Sequence, residues 1–162
     1  MIRLIFKLMM SIIVLLPVFY GAQLKLYEFK ERSVLQHEST RSTVVFIYTD
    51  WCRYCENMKQ TTFKQKKIIE ELNQHFYTIF LNAEEKGDIF FSGKTYRFRP
   101  NGFRNGTHEL AQLLMEKDLP LSFPAIIILN AENEMVFRHQ GFLTSAELFS
   151  LLSAARTIKT GL

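Results

Sequence analysis

Two cysteines, Cys52 and Cys55, carry the clearest chemistry in this sequence, and the chain has no others. Arg53 and Tyr54 separate them. Because this spacing fits within one helical turn, Cys55 can attack a mixed disulfide formed at Cys52 and release a reduced partner. The pattern predicts Cys52 as the nucleophile and Cys55 as the resolving thiol of a dithiol/disulfide exchange site.

A buried strand and a helix are expected to position this pair. Residues 43–49 are almost wholly apolar and β-branched or aromatic, which predicts a strand buried on both faces. The strand leads into Cys52, and the absence of Gly or Pro before Gly87 predicts one long helix or two abutting helices over residues 52–74. In the first helical turn, unpaired backbone N–H groups and the helix dipole stabilise a thiolate.

Apolar periodicity and turn residues predict the other elements of the chain. They are a strand at 24–29, a helical turn at 30–36, a strand at 76–81, a hairpin turning at Ser92 and Gly93, a helix capped by Thr107 and ending near Asp118, strands at 125–129 and 135–139, and a final helix from Thr144 or Ser145 toward Arg156. The crossover connections favour parallel strands, whereas the short turn at 130–133 makes the last two antiparallel. The expected fold class is α/β, with a central mixed β-sheet flanked by helices and an inserted hairpin within residues 84–106.

The first 22 residues have the layout of an export signal. Arg3 and Lys7 precede the apolar run 8–20, which ends at Gly21 and Ala22. The 17 uncharged residues between Lys7 and Lys25 also approach the roughly 20 that a membrane-spanning helix needs. We therefore expect a signal peptide or an N-terminal membrane anchor at 1–22 and a single domain at 23–162. The chain is therefore expected to be exported, and the resemblance described below implies the periplasm or the outer face of a bacterial inner membrane.

Composition narrows the function classes. The formal net charge is +4 over 162 residues and falls to +2 without Arg3 and Lys7. Acidic and basic residues are interspersed and no long basic tract occurs, so a nucleic-acid partner is not expected. The length leaves no room for a second catalytic domain.

Other interpretations of the cysteine pair stay open at this stage. A structural disulfide closing so short a loop would stabilise the fold little, because the benefit grows with loop length. A zinc site would need further ligands, and the four histidines are scattered, at His37, His75, His108 and His139. Two inert buried thiols fit poorly with an oxidising compartment. No metal and no organic cofactor is expected.

The sequence resembles the thioredoxin superfamily. The resemblance rests on Trp51-Cys52-Arg53-Tyr54-Cys55 after a buried strand and on Phe123-Pro124 before a later one. With Asp50 before this motif and Met58, Thr62 and Phe63 after it, the chain is most similar to exported thioredoxin-like proteins grouped with the C-terminal domain of DsbD.

This resemblance implies a thioredoxin fold and assigns roles around the cysteines. It implies a cis peptide bond at Pro124, substrate contacts from Trp51, Phe123 and Pro124, and redox tuning by Arg53 and Tyr54. An ordinary trans proline opening a strand is the alternative for Pro124. The implied activity is thiol:disulfide oxidoreductase, reducing disulfides of exported proteins with electrons from a membrane thiol donor. A thioredoxin-fold binding module or chaperone and a metallochaperone are the alternatives.

Two features depart from a minimal thioredoxin. Thioredoxins bury an acidic residue six positions before the first cysteine, where this chain has Phe46. The insertion at residues 84–106 is aromatic and basic. It either closes a sheet edge or covers the core, or it forms a partner-docking surface through Tyr96, Phe98 and Phe103.

Overall fold

The computed structural model describes residues 22–102, 105–115 and 120–158. Within these ranges no helix is both long enough and apolar enough to cross a membrane. Residues 1–21 and the predicted helix end near Asp118 lie outside the described residues. The export segment therefore stays a prediction.

Five α-helices and eight β-strands make up the described chain. In order they are α1 (Phe29–Leu35), β1 (Ser42–Tyr48), α2 (Arg53–Gln60), α3 (Lys66–His75), β2 (Phe76–Asn82), β3 (Ile89–Phe91), β4 (Lys94–Tyr96), β5 (Phe98–Pro100), β6 (Gly106–His108), α4 (Glu109–Met115), β7 (Ala125–Leu129), β8 (Met135–Gln140) and α5 (Ser145–Ile158). A short 3₁₀ helix, Thr62–Lys64, separates α2 from α3. The predicted helical stretch 52–74 is thus two α-helices with a 3₁₀ turn between them.

The central sheet has four strands in the order β2-β1-β7-β8. Strand β1 runs parallel to β2, with Val45 opposite Ile79, and antiparallel to β7, with Val45 opposite Ile127. Strands β7 and β8 are antiparallel. The predicted mixed sheet flanked by helices is confirmed.

Alternating residues of β1 enter two different hydrophobic cores, one on each face of the sheet. Val44 and Phe46 enter the first core, where Met58 of α2, Leu72 of α3 and Leu148 of α5 cover them. The odd-numbered positions enter the second core, which contains Val45, Ile47, Ile79, Ile127, Phe29 of α1, Phe91 of β3, and Leu110 and Leu114 of α4. Burial on both faces explains why β1 is almost wholly apolar.

Two local predictions are wrong. The expected strand at 24–29 is irregular chain that leads into α1, and in it the Tyr27 N–H donates to the Thr78 carbonyl at 2.9 Å. The reason is a capping box between Glu28 and Glu31 that starts a helix at Phe29. The predicted cap Thr107 instead lies in β6, opposite Arg99.

His108 carries out the capping that we expected of Thr107. Its fully buried ring accepts a hydrogen bond from the Leu110 N–H through Nδ1 at 3.2 Å, at the start of α4. The other ring nitrogen, Nε2, lies 3.1 Å from the Gly87 carbonyl. The ring therefore joins helix α4 to the loop that begins the insertion.

The insertion consists of two small antiparallel hairpins, β3-β4 and β5-β6. Ser92 and Gly93 both have positive φ, 49° and 78°, as expected for a tight turn, so the predicted hairpin is confirmed. The Glu109 carboxylate accepts from the Arg97 N–H and from the Arg99 guanidinium, and these bonds hold the pKa of Glu109 below its ordinary value. The second hairpin is thereby fixed to the start of α4.

Strand β6 approaches β5 so closely that only glycine fits at position 106. A Cβ there would lie 2.3 Å from Phe98 Cζ and 2.5 Å from the Arg99 carbonyl oxygen. We expect Gly106→Ala to lower the free energy of unfolding by about 1–3 kcal/mol through overpacking, measured by urea denaturation. Gly102→Ala is the control, because no atom of the described residues lies within 4 Å of its Cβ position. Equal stability of the two variants would contradict this packing.

Candidate active site

The cysteine pair lies where strand β1 turns into helix α2. Cys52 is the N-cap of α2, and its N–H donates to the Thr49 carbonyl at 3.2 Å. Its Sγ accepts from the Cys55 N–H at 3.1 Å, inside the first helical turn. The two sulfurs form a disulfide. A thiolate at Cys52 would keep this N–H donor and the positive end of the helix dipole.

The two cysteine residues differ in their exposure to solvent. Cys52 is 7% exposed, whereas Cys55 is fully buried at 0%. Cys55 belongs to the first core, together with Met58 and Phe63. A partner approaching from solvent therefore reaches the sulfur of Cys52 first.

Exposed aromatic rings border the disulfide. Trp51 and Tyr54 are each 67% exposed, an uncommon state for large aromatic side chains. The Trp51 ring meets Phe123 edge-on at 6.0 Å between centroids, and the Tyr54 ring lies 6.5 Å from Phe142. Arg53 is exposed in the first turn of α2. Phe142 was not singled out from the sequence. The only signal for it was Gly141, which ends the preceding strand and so places Phe142 in a loop.

The segment before β7 completes this border. The peptide bond between Phe123 and Pro124 is cis, and Phe123 packs against both hydrophobic cores, the first of which holds both cysteines. The Pro124 carbonyl accepts from the Gly141 N–H at 2.7 Å. The structure thus brings Phe123, which is far away in sequence, next to Trp51 and to the core that holds both cysteines.

The sequence also matches a known protein family. The sequence model of the thioredoxin-like domain matches residues 29–156. The chain belongs to the thioredoxin-like family. No curated protein matches it in sequence.

Solved structures show the same thioredoxin-like fold at low sequence identity. A structure described as a DsbH oxidoreductase superposes with a TM-score of 0.59 at 16% identity, covering 88% of this chain and 91% of that one. A thioredoxin from Thermus thermophilus gives 0.58 at 20% identity, with 86% and 91% covered. The oxidised C-terminal domain of DsbD from Neisseria meningitidis gives 0.51 at 14% identity, with 82% and 100% covered.

Within this thioredoxin-like domain, Phe46 occupies the position where thioredoxins bury an acid. Its ring is fully buried and lies 4.9 Å from the rings of both Phe63 and Phe80. The two carboxylates that are nearest to the cysteines in sequence, Asp50 and Glu56, are both exposed. Asp50 accepts a hydrogen bond from the Asn82 amide, and Glu56 accepts one from the Gln60 amide. The first core, which holds both cysteines, therefore has an aromatic ring and no carboxylate at position 46.

The described residues also show how the histidines lie relative to the cysteine pair. No group of three or more His, Cys, Asp or Glu side chains there could hold a metal ion. His108 bonds to backbone groups, and His75 lies 3.0 Å from the Arg156 guanidinium. The histidines of the described chain thus do not extend the cysteine pair into a ligand set.

The three aromatic residues suggested as a docking surface do not share one environment. Tyr96 packs against the second core. The Phe98 ring lies against Gly106 and below the Lys86 ammonium, which is 3.3 Å from the ring centroid. Phe103 lies outside the described residues. Tyr96 and Phe98 thus serve mainly to pack the insertion.

The different environments of the two sulfurs predict unequal reactivity after reduction. Iodoacetamide at neutral pH should modify Cys52 about tenfold or more faster than Cys55, because Cys52 is the more accessible and has the N–H donor. Timed quenching and peptide mass mapping measure the two rates. In urea both cysteines should react alike, which serves as the control. Equal rates in the folded protein would contradict the proposed order of attack.

Proposed function

We propose that the chain is a thiol:disulfide oxidoreductase that reduces disulfides in exported proteins. The observation that carries this proposal is the disulfide between a partly accessible Cys52 at a helix N-terminus and a fully buried Cys55 one turn later. Membership of the thioredoxin-like family supports the same chemistry, as does the likeness to a structure described as a DsbH oxidoreductase.

In the reductive half-reaction, the Cys52 thiolate attacks one sulfur of the substrate disulfide. The substrate S–S bond breaks, a mixed disulfide forms, and the displaced sulfur takes up a proton. Cys55 then loses its proton and attacks Cys52 Sγ, which closes the Cys52–Cys55 disulfide and expels the second substrate thiol. Two electrons and two protons pass from protein to substrate, and a reduced dithiol donor must restore them.

The exposed border gives the substrate a place to bind during this exchange. We assign substrate contacts to Trp51, Phe123 and Pro124, with the backbone at Phe123 pairing with an extended segment of the substrate. Such a segment would lie across the exposed edge of Cys52. Backbone pairing depends little on sequence, so it suits an enzyme that acts on several clients.

Arg53 and Tyr54 are assigned to redox tuning. Arg53 lies between the cysteines and favours a thiolate, which stabilises the reduced form and makes the couple more oxidising. Asp50 opposes this effect by its negative charge. The balance between the effects of Arg53 and Asp50 on the reduction potential helps to decide whether the cysteine pair donates electrons to clients or accepts them.

Export and electron supply complete the proposal. The pattern of residues 1–22 supports secretion or membrane anchoring of the domain at 23–162. Outside the cytoplasm the reducing equivalents must cross the membrane, so the expected donor is a membrane thiol protein. The expected clients are exported proteins with disulfides.

Substitution of each cysteine tests the assigned roles. Cys55→Ser should lower steady-state reduction of a disulfide-containing peptide by about two orders of magnitude or more and accumulate a mixed disulfide at Cys52. Cys52→Ser should be equally inactive and accumulate none. Nonreducing electrophoresis and mass spectrometry measure the trapped species. Trapping in Cys52→Ser but not in Cys55→Ser would reverse the two roles.

The reduction potential of the Cys52/Cys55 pair tests the direction of electron flow. We expect a value near that of thioredoxin, about −270 mV, from equilibration in dithiothreitol buffers followed by thiol trapping. A value near about −120 mV would instead identify an oxidant that donates disulfides. A protein that never cycles, and whose Cys55→Ser variant still protects clients from aggregation, would be a binding module.

A further inference from the structure

A cleft of about 720 Å³ lies beside the disulfide, between the β1-α2 loop and the insertion. Trp51 and Phe123, which meet edge-on at the active site, both line it. Its volume is within the range of roughly 300–1,000 Å³ typical of ligand sites. We propose that this acidic cleft binds a lysine or arginine side chain of the polypeptide substrate. This inference rests on the proposed function and specifies its substrate class.

Thr49 is the first observation that points to a ligand. It lines the cleft, is only 2% exposed, and its Oγ1 has no hydrogen-bond partner among the described residues. A buried hydroxyl without a partner is unfavourable, because it has lost its bonds to water. A cationic N–H donor entering the cleft would supply the missing bond.

The charges lining the cleft define the kind of donor. Asp50, Glu84 and Glu85 contribute carboxylates, and Lys86 is the one basic residue among the lining residues that the structure describes. None of the three carboxylates is in a salt bridge within the described chain. The Lys86 ammonium lies over the Phe98 ring, a cation–π contact that already engages its charge. The described residues that line the cleft therefore carry a net negative charge.

Local hydrogen bonds orient two of these carboxylates. Asp50 Oδ2 accepts from the Asn82 amide at 3.0 Å, and Glu85 Oε1 accepts from the backbone N–H groups of Lys86 and Gly87 at 2.8 and 2.9 Å. Burial, followed by the charges of Asp50 and Glu85, raises the pKa of Tyr48, which immediately precedes Thr49. Asp50 and Glu85 thus also act on the last residue of β1.

A side chain fits this site better than a metal ion does. The described residues contain no group of acidic, histidine or cysteine side chains close enough to hold a metal. A long basic side chain can instead reach separate carboxylates and the Thr49 hydroxyl with its several N–H donors. Because the cleft begins at Trp51 and Phe123, a substrate segment crossing Cys52 can place such a side chain in it.

Peptide selectivity tests the inference in the full-length protein. Peptides with one intramolecular disulfide would carry Lys, Gln or Glu at each of the three positions on either side of the attacked cysteine. At one position we expect kcat/KM for Lys to exceed that for Glu by about tenfold, the effect of two weakly screened charge pairs. The ratio should approach one near 1 M salt, where the screening length is only about 3 Å.

Two variants and two matched controls connect this selectivity to the cleft. Glu84→Gln and Thr49→Val should each reduce the Lys/Glu ratio about threefold, by loss of one charge and one acceptor respectively. Glu38→Gln removes one exposed charge elsewhere, and Thr78→Val removes another buried hydroxyl without a partner that does not line the cleft. Both controls should keep the wild-type ratio. Thr49→Val should unfold no more easily than the wild type, because its hydroxyl has no partner to lose among the residues that the structure describes.

Binding without chemistry separates this inference from the proposed function. Cysteine-free versions of the same peptides can be titrated against the oxidised protein, with Trp51, the chain's one tryptophan, as the fluorescent reporter. Turnover without a Lys preference, or a preference that both cleft variants leave unchanged, would overturn the cleft assignment alone. Lys-selective binding without turnover would overturn the oxidoreductase and keep the cleft. Neither binding nor turnover would overturn both.

Discussion

The structure depends above all on how helix α2 is held against the end of strand β1. Cys55 and Met58 pack into the first core against Val44 and Phe46, which point to the same face of the sheet. This packing fixes the helix axis, and the helix start then puts Cys52 at the edge of the core with an N–H donor 3.1 Å from its sulfur. Cys52 is partly exposed and Cys55 is fully buried because the same apolar contact positions both residues. The contact between α2 and β1 therefore both stabilises the fold and determines which cysteine is exposed.

The second face of the sheet explains how an insertion can reach the active site without disturbing it. Ile47 and Ile127 face a separate core, covered by α1, α4 and strand β3. The insertion packs on that side, and its loop passes beside the β1-α2 junction, where the Ala83 N–H donates to the Tyr48 carbonyl and the His108 N–H to the Ala83 carbonyl. These two bonds join the insertion to the strand that precedes the cysteines. The cleft between the β1-α2 loop and the insertion therefore results from the way the insertion packs on the sheet.

Much of the fold and the reactive pair could be predicted from sequence, and the failures have physical causes. Strand β1 was predictable because burial on both faces leaves an unmistakable apolar run, and Cys52 and Cys55 because no other residues compete for their chemistry. Residues 24–29 alternate like a strand, yet the capping box at Glu28 starts a helix and overrides that short signal. Thr107 has the side chain of a helix cap, but backbone pairing with β5 places it in a strand. The cleft was beyond sequence reasoning, because its lining residues come from four separate segments of the chain.

The aromatic ring at position 46 changes how the exchange must be completed. With Phe46, Phe63 and Phe80 packed together in the core, the acid position of thioredoxins provides no proton acceptor on this side of the disulfide. Apolar surroundings disfavour a thiolate at the buried Cys55, so its proton has to leave as it attacks. The nearest group that needs a proton at that moment is the sulfur departing from Cys52, on the exposed side. In the proposed exchange the leaving sulfur of the substrate would therefore assist resolution, and the rate of that step would depend on the basicity of the substrate thiol.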